Sequence, residues 1–202
     1  MFVQVVQGKV SDAERMHAQL DKWMQDLAPG ATGWLGSTCG VTDDGTCVCF
    51  VRFDTPEHAQ ENSDRAEQGA WWAETSRLFP QGAEFLDSER VTEDTPGDPA
   101  KAQFVQIIEG RSSDAARGLE LSMENSDKWA EFRPDVLGSV GVNFPGGRYA
   151  MEMFFTNEAD ARKGEQKEPP SELKAQMDEM QALAAEPPKF FDLKNPWMYS
   201  PR

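Results

Sequence analysis

Phe2-Val3-Gln4-Val5-Val6-Gln7-Gly8-Lys9-Val10-Ser11-Asp12-Ala13 recurs 102 residues later as Phe104-Val105-Gln106-Ile107-Ile108-Glu109-Gly110-Arg111-Ser112-Ser113-Asp114-Ala115. Seven of the twelve positions are identical and four more are conservative. The echo continues in the same order: Asp21-Lys22-Trp23 with Asp127-Lys128-Trp129, Leu35-Gly36-Ser37 with Leu137-Gly138-Ser139, and Phe85-Leu86-Asp87 with Phe190-Phe191-Asp192. The chain is a tandem duplication. Two copies are too few for a solenoid, which needs about three or more stacked units. Two similar domains fit a chain of 202 residues.

Each copy predicts the order β-α-β-β-α-β. Phe2 to Gln7 is a β-rich run ended by Gly8. Ser11-Asp12-Ala13-Glu14 has the form of a capping box, with Ser11 as cap. Met16, Leu20, Trp23, Met24 and Leu27 then follow at helical spacing, and Pro29-Gly30 stops the helix. Trp34 to Val41 and Thr46 to Phe53 read as a hairpin around Asp44-Gly45. Thr55-Pro56-Glu57 opens a second helix to about Ala66, loosened at Gly69 and resumed from Ala70 to Phe79. Glu84 to Val91 closes the copy. The expected boundaries are residues 1–92, a polar Pro/Gly-rich linker at 93–101, and 102–202. In the second copy one helix is expected through Leu119, Met123 and Trp129, with Ser113 as cap. Its hairpin turns at Pro145-Gly146-Gly147, and the tail from Asn195 to Tyr199 folds back onto the body.

The net charge of −15 repels nucleic acid and anionic membrane surfaces. No apolar run approaches the roughly 20 residues needed to span a bilayer, and the N-terminus enters a strand without a leader pattern. A cytoplasmic protein is expected. Cys39, Cys47 and Cys49 are the three cysteines. A two-residue turn sets Cys39 opposite Phe50, and a three-residue turn sets it opposite Cys49. Small apolar packing is the plainer role for all three. No metal-ligand spacing, phosphate loop or nucleophile elbow is present.

Twin β-α-β-β-α-β units make ferredoxin-like α+β domains. Val3, Val5, Phe50 and Phe53 leave apolar residues for both sheet faces, so sheet-to-sheet packing into an intramolecular pseudo-dimeric barrel is expected. On its element order, opening strand, Thr-Pro-Glu start and broken second helix, the chain resembles the dimeric α+β barrel superfamily, antibiotic-biosynthesis-monooxygenase-like. It also resembles bacterial tandem proteins of unassigned function that carry Asn-Ser-Asp-Arg…Glu-Gln…Trp-Trp, here Asn62-Ser63-Asp64-Arg65, Glu67-Gln68 and Trp71-Trp72.

That resemblance implies a cofactor-free oxygenase acting on a small aromatic or polyketide-like molecule. Asn62 would hydrogen-bond a phenolate, Arg65 counter its charge and Trp71 or Trp72 stack on the ring. Gln4, polar within an apolar strand, is a further lining candidate. The matching segment Lys163-Gly164-Glu165-Gln166-Lys167 lacks the Asn-Ser and both Trp, so a single site in the first half is expected. Set against this, Asn62-Ser63 ends a helix, Arg65 pairs with Glu61 or Glu67, and the tryptophans pack helix on sheet. A haem reading needs a histidine late in the second helix, where Ser76 and Arg77 stand; no cofactor and no metal are expected. The rival functions are a non-catalytic ligand-binding or stress-related protein and a purely structural duplication. Expected partners are a small hydrophobic or aromatic molecule, with the chain a monomer or homodimer.

Overall fold

The protein is described by a computed structural model, covering residues 1–201. The elements run β1 (Phe2–Lys9), α1 (Ala13–Asp26), β2 (Trp34–Val41), β3 (Thr46–Phe53), α2 (Pro56–Asp64), α3 (Ala66–Thr75) and β4 (Glu84–Ser88). The chain continues with β5 (Val91–Asp94), β6 (Phe104–Arg111), α4 (Ala115–Met123), α5 (Ser126–Phe132), β7 (Val136–Asn143) and β8 (Arg148–Phe155). It ends with α6 (Glu158–Glu165), α7 (Ser171–Leu183), β9 (Lys189–Leu193) and β10 (Trp197–Tyr199). This is an α+β fold with two antiparallel five-stranded sheets, ordered β10-β2-β3-β1-β4 and β5-β7-β8-β6-β9. Each sheet is an open ladder with two edge strands rather than one closed around a barrel.

The fifth strand of each sheet is the departure from the expected four. Each comes from the segment that follows the other repeat. Residues 93–101, expected as linker, begin inside β5, which pairs with β7 from Val91↔Val142 to Asp94↔Ser139. The C-terminal tail supplies β10, which pairs with β2 through Trp197↔Cys39, Met198↔Thr38 and Tyr199↔Ser37. The compact units are accordingly Met1–Glu89 with Pro196–Arg202, and Arg90–Asn195. The repeated Leu-Gly-Ser marks where these strands dock. It sits at a register shift in both β2 and β7. A Cβ on Gly36 would lie 2.8 Å from the Tyr199 carbonyl oxygen, and one on Gly138 2.8 Å from Pro99 Cγ.

Helix starts differ in detail from the sequence reading. Asp12, not Ser11, caps α1, accepting from Arg15 N at 2.9 Å. Asp114, not Ser113, caps α4. The two serines instead donate to the carbonyls of Leu78 and Leu183, tying each first helix to the end of the second. The long helix expected in the second half is split, because Asn125 adopts a left-handed conformation (φ 56°) between α4 and α5. The break between α2 and α3 falls at Arg65, whose backbone is extended, and Gly69 stays helical.

In the first unit, strand alternation sends Phe2 and Val6 to the face packed under helices, among Met16, Trp23 and Leu78. Val3, Val5, Val48 and Phe50 point to the opposite face and are fully buried. The core under the helices falls into two clusters with space between them.

Gly33 (φ 69°) turns the chain into β2, and its carbonyl accepts from Asp54 N at 2.9 Å. A Cβ there would overlap Asp54 and His58. Gly33→Ala is therefore expected to cost about 1–3 kcal/mol in denaturant unfolding. The adjacent His58 Nδ1 lies 2.6 Å from Asp54 Oδ1. This hydrogen bond raises the His58 pKa and lowers that of Asp54. The histidine's share of stability is thus full below about pH 6.5 and lost as pH rises through its raised value. The aspartate's share is lost as pH falls through its depressed value. A proton NMR titration of His58 is expected to show a midpoint above about 6.5 that falls back in Asp54→Asn; an unchanged midpoint would show that the pair does not form.

Candidate functional site

A cavity of about 550 Å³ lies within the first unit, between α1–α3 and the helical face of the sheet. This is within the range of ligand pockets, roughly 300–1,000 Å³. One end is lined by Phe2 and Phe53, the other by Met16 and Phe79 with the three cysteines. The lining is mainly apolar, and its polar groups are few and individually held.

Asn62 sits on α2, lines the cavity and is only 7% exposed. Its Oδ1 accepts from Arg65 Nη1 at 3.0 Å. The carboxamide orientation is thereby set, since the guanidinium can only donate. Its Nδ2 group makes no hydrogen bond to the protein and is not sealed from solvent. Gln68 on α3 is set in the same way: Trp23 Nε1 donates to its Oε1 at 2.6 Å, and its Nε2 is left to the cavity. Both NH2 groups belong to residues that line the cavity and are left open to an acceptor.

Arg65 itself does not line the cavity. It stands behind Asn62, also bonding the Leu27 carbonyl (3.0 Å) and Glu67 (2.9 Å). Its charge is taken up locally by Glu67. Trp71 and Trp72 both line the cavity and are half-buried. Trp71 Nε1 is committed to the Gln19 carbonyl on α1 at 2.9 Å. Trp72 packs against Phe79 and Phe85, with ring centroids 6.0 and 5.1 Å away. Gln4 also lines it and donates to Asp87 at 2.9 Å across β1 and β4.

The lining residues that the sequence reading did not single out include Trp23, Gln68, Asp87 and Tyr199. Three had a signal, since Trp23 and Asp87 lie in repeated triplets and Gln68 in the Glu-Gln pair. Tyr199 lies in the tail expected to fold back, and β10 brings it in from the far end of the chain. Its hydroxyl donates to Asp21 at 2.9 Å. Burial, together with the Asp21 carboxylate, holds this phenol above the ordinary tyrosine range, so it remains a neutral donor.

The second unit uses the same parts and closes them. Trp129 Nε1 donates to Gln176 Oε1 at 3.0 Å, as Trp23 does to Gln68. Here the Gln176 Nε2 donors reach the carbonyls of Leu121 and Glu124, exposed by the break between α4 and α5. Helix α1 has no such break, and its Gln19 carbonyl accepts from the Trp71 indole instead. Gly164 stands at the position of Asn62, and a side chain there would overlap Arg133.

The hairpin adopts the three-residue turn, so Cys39 faces Cys49 with Cα atoms 4.1 Å apart. The two are joined as a disulfide in the cavity wall, rather than serving as separate packing residues. Burial pushes the neighbouring Cys47 thiol up to about 12. Neither histidine lines the cavity. Among the described residues no group of His, Cys, Asp or Glu is arranged to hold a metal ion, and no helix is long and apolar enough to cross a membrane.

No protein-family model matches the sequence. No curated protein matches it either. Solved structures do match over the whole length. A candidate monooxygenase from Lactobacillus acidophilus aligns with TM-score 0.73 and 12% identity, covering 98% of each chain. One from Fusobacterium nucleatum aligns at 0.74 and 7%, covering 98% of this chain and 94% of that one. An anthrone oxidase-like protein aligns at 0.65 and 10%, covering 99% and 91%. The chain shares its fold with these proteins, and at such identities the likeness is one of fold.

Thiol titration checks the wall of the cavity. Unfolded without reductant, the protein is expected to show one free thiol, and after reduction three. Cys47 is expected to stay unreactive while folded. Three thiols without reductant would contradict the Cys39–Cys49 bond.

Proposed function

We propose that the first unit binds a small aromatic molecule in this cavity and oxidises it with dioxygen, without a bound cofactor. The observation that carries the reading is the pair of fixed, unpartnered donors, Asn62 Nδ2 and Gln68 Nε2, facing an apolar, tryptophan-lined space. Such donors stabilise negative charge on a ring oxygen, and they do so best where water is excluded. Trp71 and Trp72 supply ring-sized apolar surface. The fold shared with candidate monooxygenases and an anthrone oxidase-like protein is in keeping with this chemistry.

The reaction considered is oxidation of a phenolic ring methylene to a carbonyl. The methylene loses two hydrogens, one dioxygen oxygen enters the new carbonyl, and the other leaves as water. Asn62 and Gln68 would hold the phenolate oxygen, Arg65 would keep Asn62 in orientation, and the tryptophans would keep water away.

The test is oxygen uptake with 1,8-dihydroxyanthrone, corrected for its autoxidation. Asn62→Ala is expected to lower kcat/KM by about 10- to 100-fold, the loss of one hydrogen bond to a charged group. Trp72→Phe is expected to raise KM, with a smaller change in kcat. Saturable binding without oxygen uptake would assign the cavity to a non-catalytic ligand-binding protein. Neither binding nor turnover would leave the duplication structural.

A further inference from the structure

The two units carry the same three-residue arrangement at one sheet position. In the second, Gln106 donates to Asp192 at 2.8 Å across β6 and β9, beside the Phe104 ring. In the first, Gln4 donates to Asp87 at 2.9 Å across β1 and β4, with Phe2 at the matching place in β1. The second unit completes its arrangement with a cation. Arg162 on α6 bonds the other oxygen of Asp192 and lies over the Phe104 ring, its Cζ 5.2 Å from the centroid. Glu165 and Glu158 on the same helix also bond it.

Among the described residues, the first unit places no such cation there. The helix caps Thr55 and Asn157 correspond, as do the buried Ala59 and Ala161, so Gln60 occupies the position of Arg162. Gln60 is turned along its own helix and donates to Asp64 at 2.8 Å. No basic side chain is among the described lining residues, and Asp87 is the one carboxylate there. An aromatic face, a fixed amide oxygen and a carboxylate oxygen are left around a space that the second unit fills with a guanidinium. A carboxylate and a ring face together favour a cation that carries N–H donors.

We propose that the ligand of the first unit carries a protonated amine or guanidinium group, which docks on Asp87, Gln4 and Phe2 where Arg162 docks in the second unit. This rests on the cavity being a ligand site and narrows the class of molecule it takes. The ligand presents a cationic nitrogen to the sheet and an acceptor oxygen or ring to Asn62 and Gln68.

The probes are tryptamine and tryptophol, which share an indole and a two-carbon arm and differ in ending as ammonium or hydroxyl. Calorimetric titration of the full chain is expected to show tryptamine binding about tenfold tighter, the scale of one charge-assisted hydrogen bond. Asp87→Asn is expected to erase that preference and leave tryptophol binding as it was. Gln60→Arg is expected to place an internal guanidinium on Asp87 and weaken tryptamine binding at least about tenfold. Equal affinity for the two probes, or a preference that survives Asp87→Asn, would overturn the cation site while leaving the cavity a ligand site. Binding of neither probe would overturn both readings. Undiminished tryptamine binding in a folded Gln60→Arg variant would overturn the correspondence with Arg162.

Discussion

The guanidinium of Arg65 holds the site in shape. It bonds the end of α1 through the Leu27 carbonyl, the side chain of Asn62 on α2, and Glu67 at the start of α3. Its own backbone is extended, which is what separates α2 from α3. One residue therefore joins three helices and fixes which end of a buried carboxamide faces the cavity. The charge does not confront a ligand directly. It makes Asn62 a donor, and the rest of the cavity is arranged around that donor.

Duplication makes the meaning of that donor readable. Both units hang a tryptophan indole on a glutamine oxygen, and both pair a glutamine with an aspartate across two strands. In the second unit these groups find further partners within the chain: carbonyls at a helix break for Gln176, Arg162 for Asp192. In the first unit the helix is continuous and Gln60 points elsewhere, so the corresponding groups stay open. Buried polar groups are normally satisfied. The two homologous units thus differ in whether the chain itself closes these groups.

Much of the scaffold is legible in the sequence because it rests on local rules. The hairpin strands end where alternation and turn residues say they should, and the α+β order follows from two periods alternating. The site was partly legible through what the halves do not share: Asn62, Trp71 and Trp72 stand out against Lys163 to Lys167. Other features depend on partners far along the chain. Gln68 becomes a cavity donor only because Trp23, 45 residues away, takes its oxygen. Asp87 matters through Gln4, 83 residues away. The exchanged strands β5 and β10 are short and polar or follow prolines, and their pairing is entirely non-local. For Arg65 the sequence leaves a ligand counter-charge and a pairing with Glu61 or Glu67 both open, and the geometry shows the pairing with Glu67.

The most direct measurement is hydrogen exchange at the side-chain amides of the ligand-free protein, followed by ¹⁵N-resolved NMR. The Gln176 NH2 group, bonded to two carbonyls, is predicted to be protected. Those of Asn62 and Gln68, facing an open cavity, are predicted to exchange faster by an order of magnitude or more, about the factor that loss of one hydrogen bond implies. Equal protection of all three would show that the first unit satisfies its own donors, and would contradict the account of an open site.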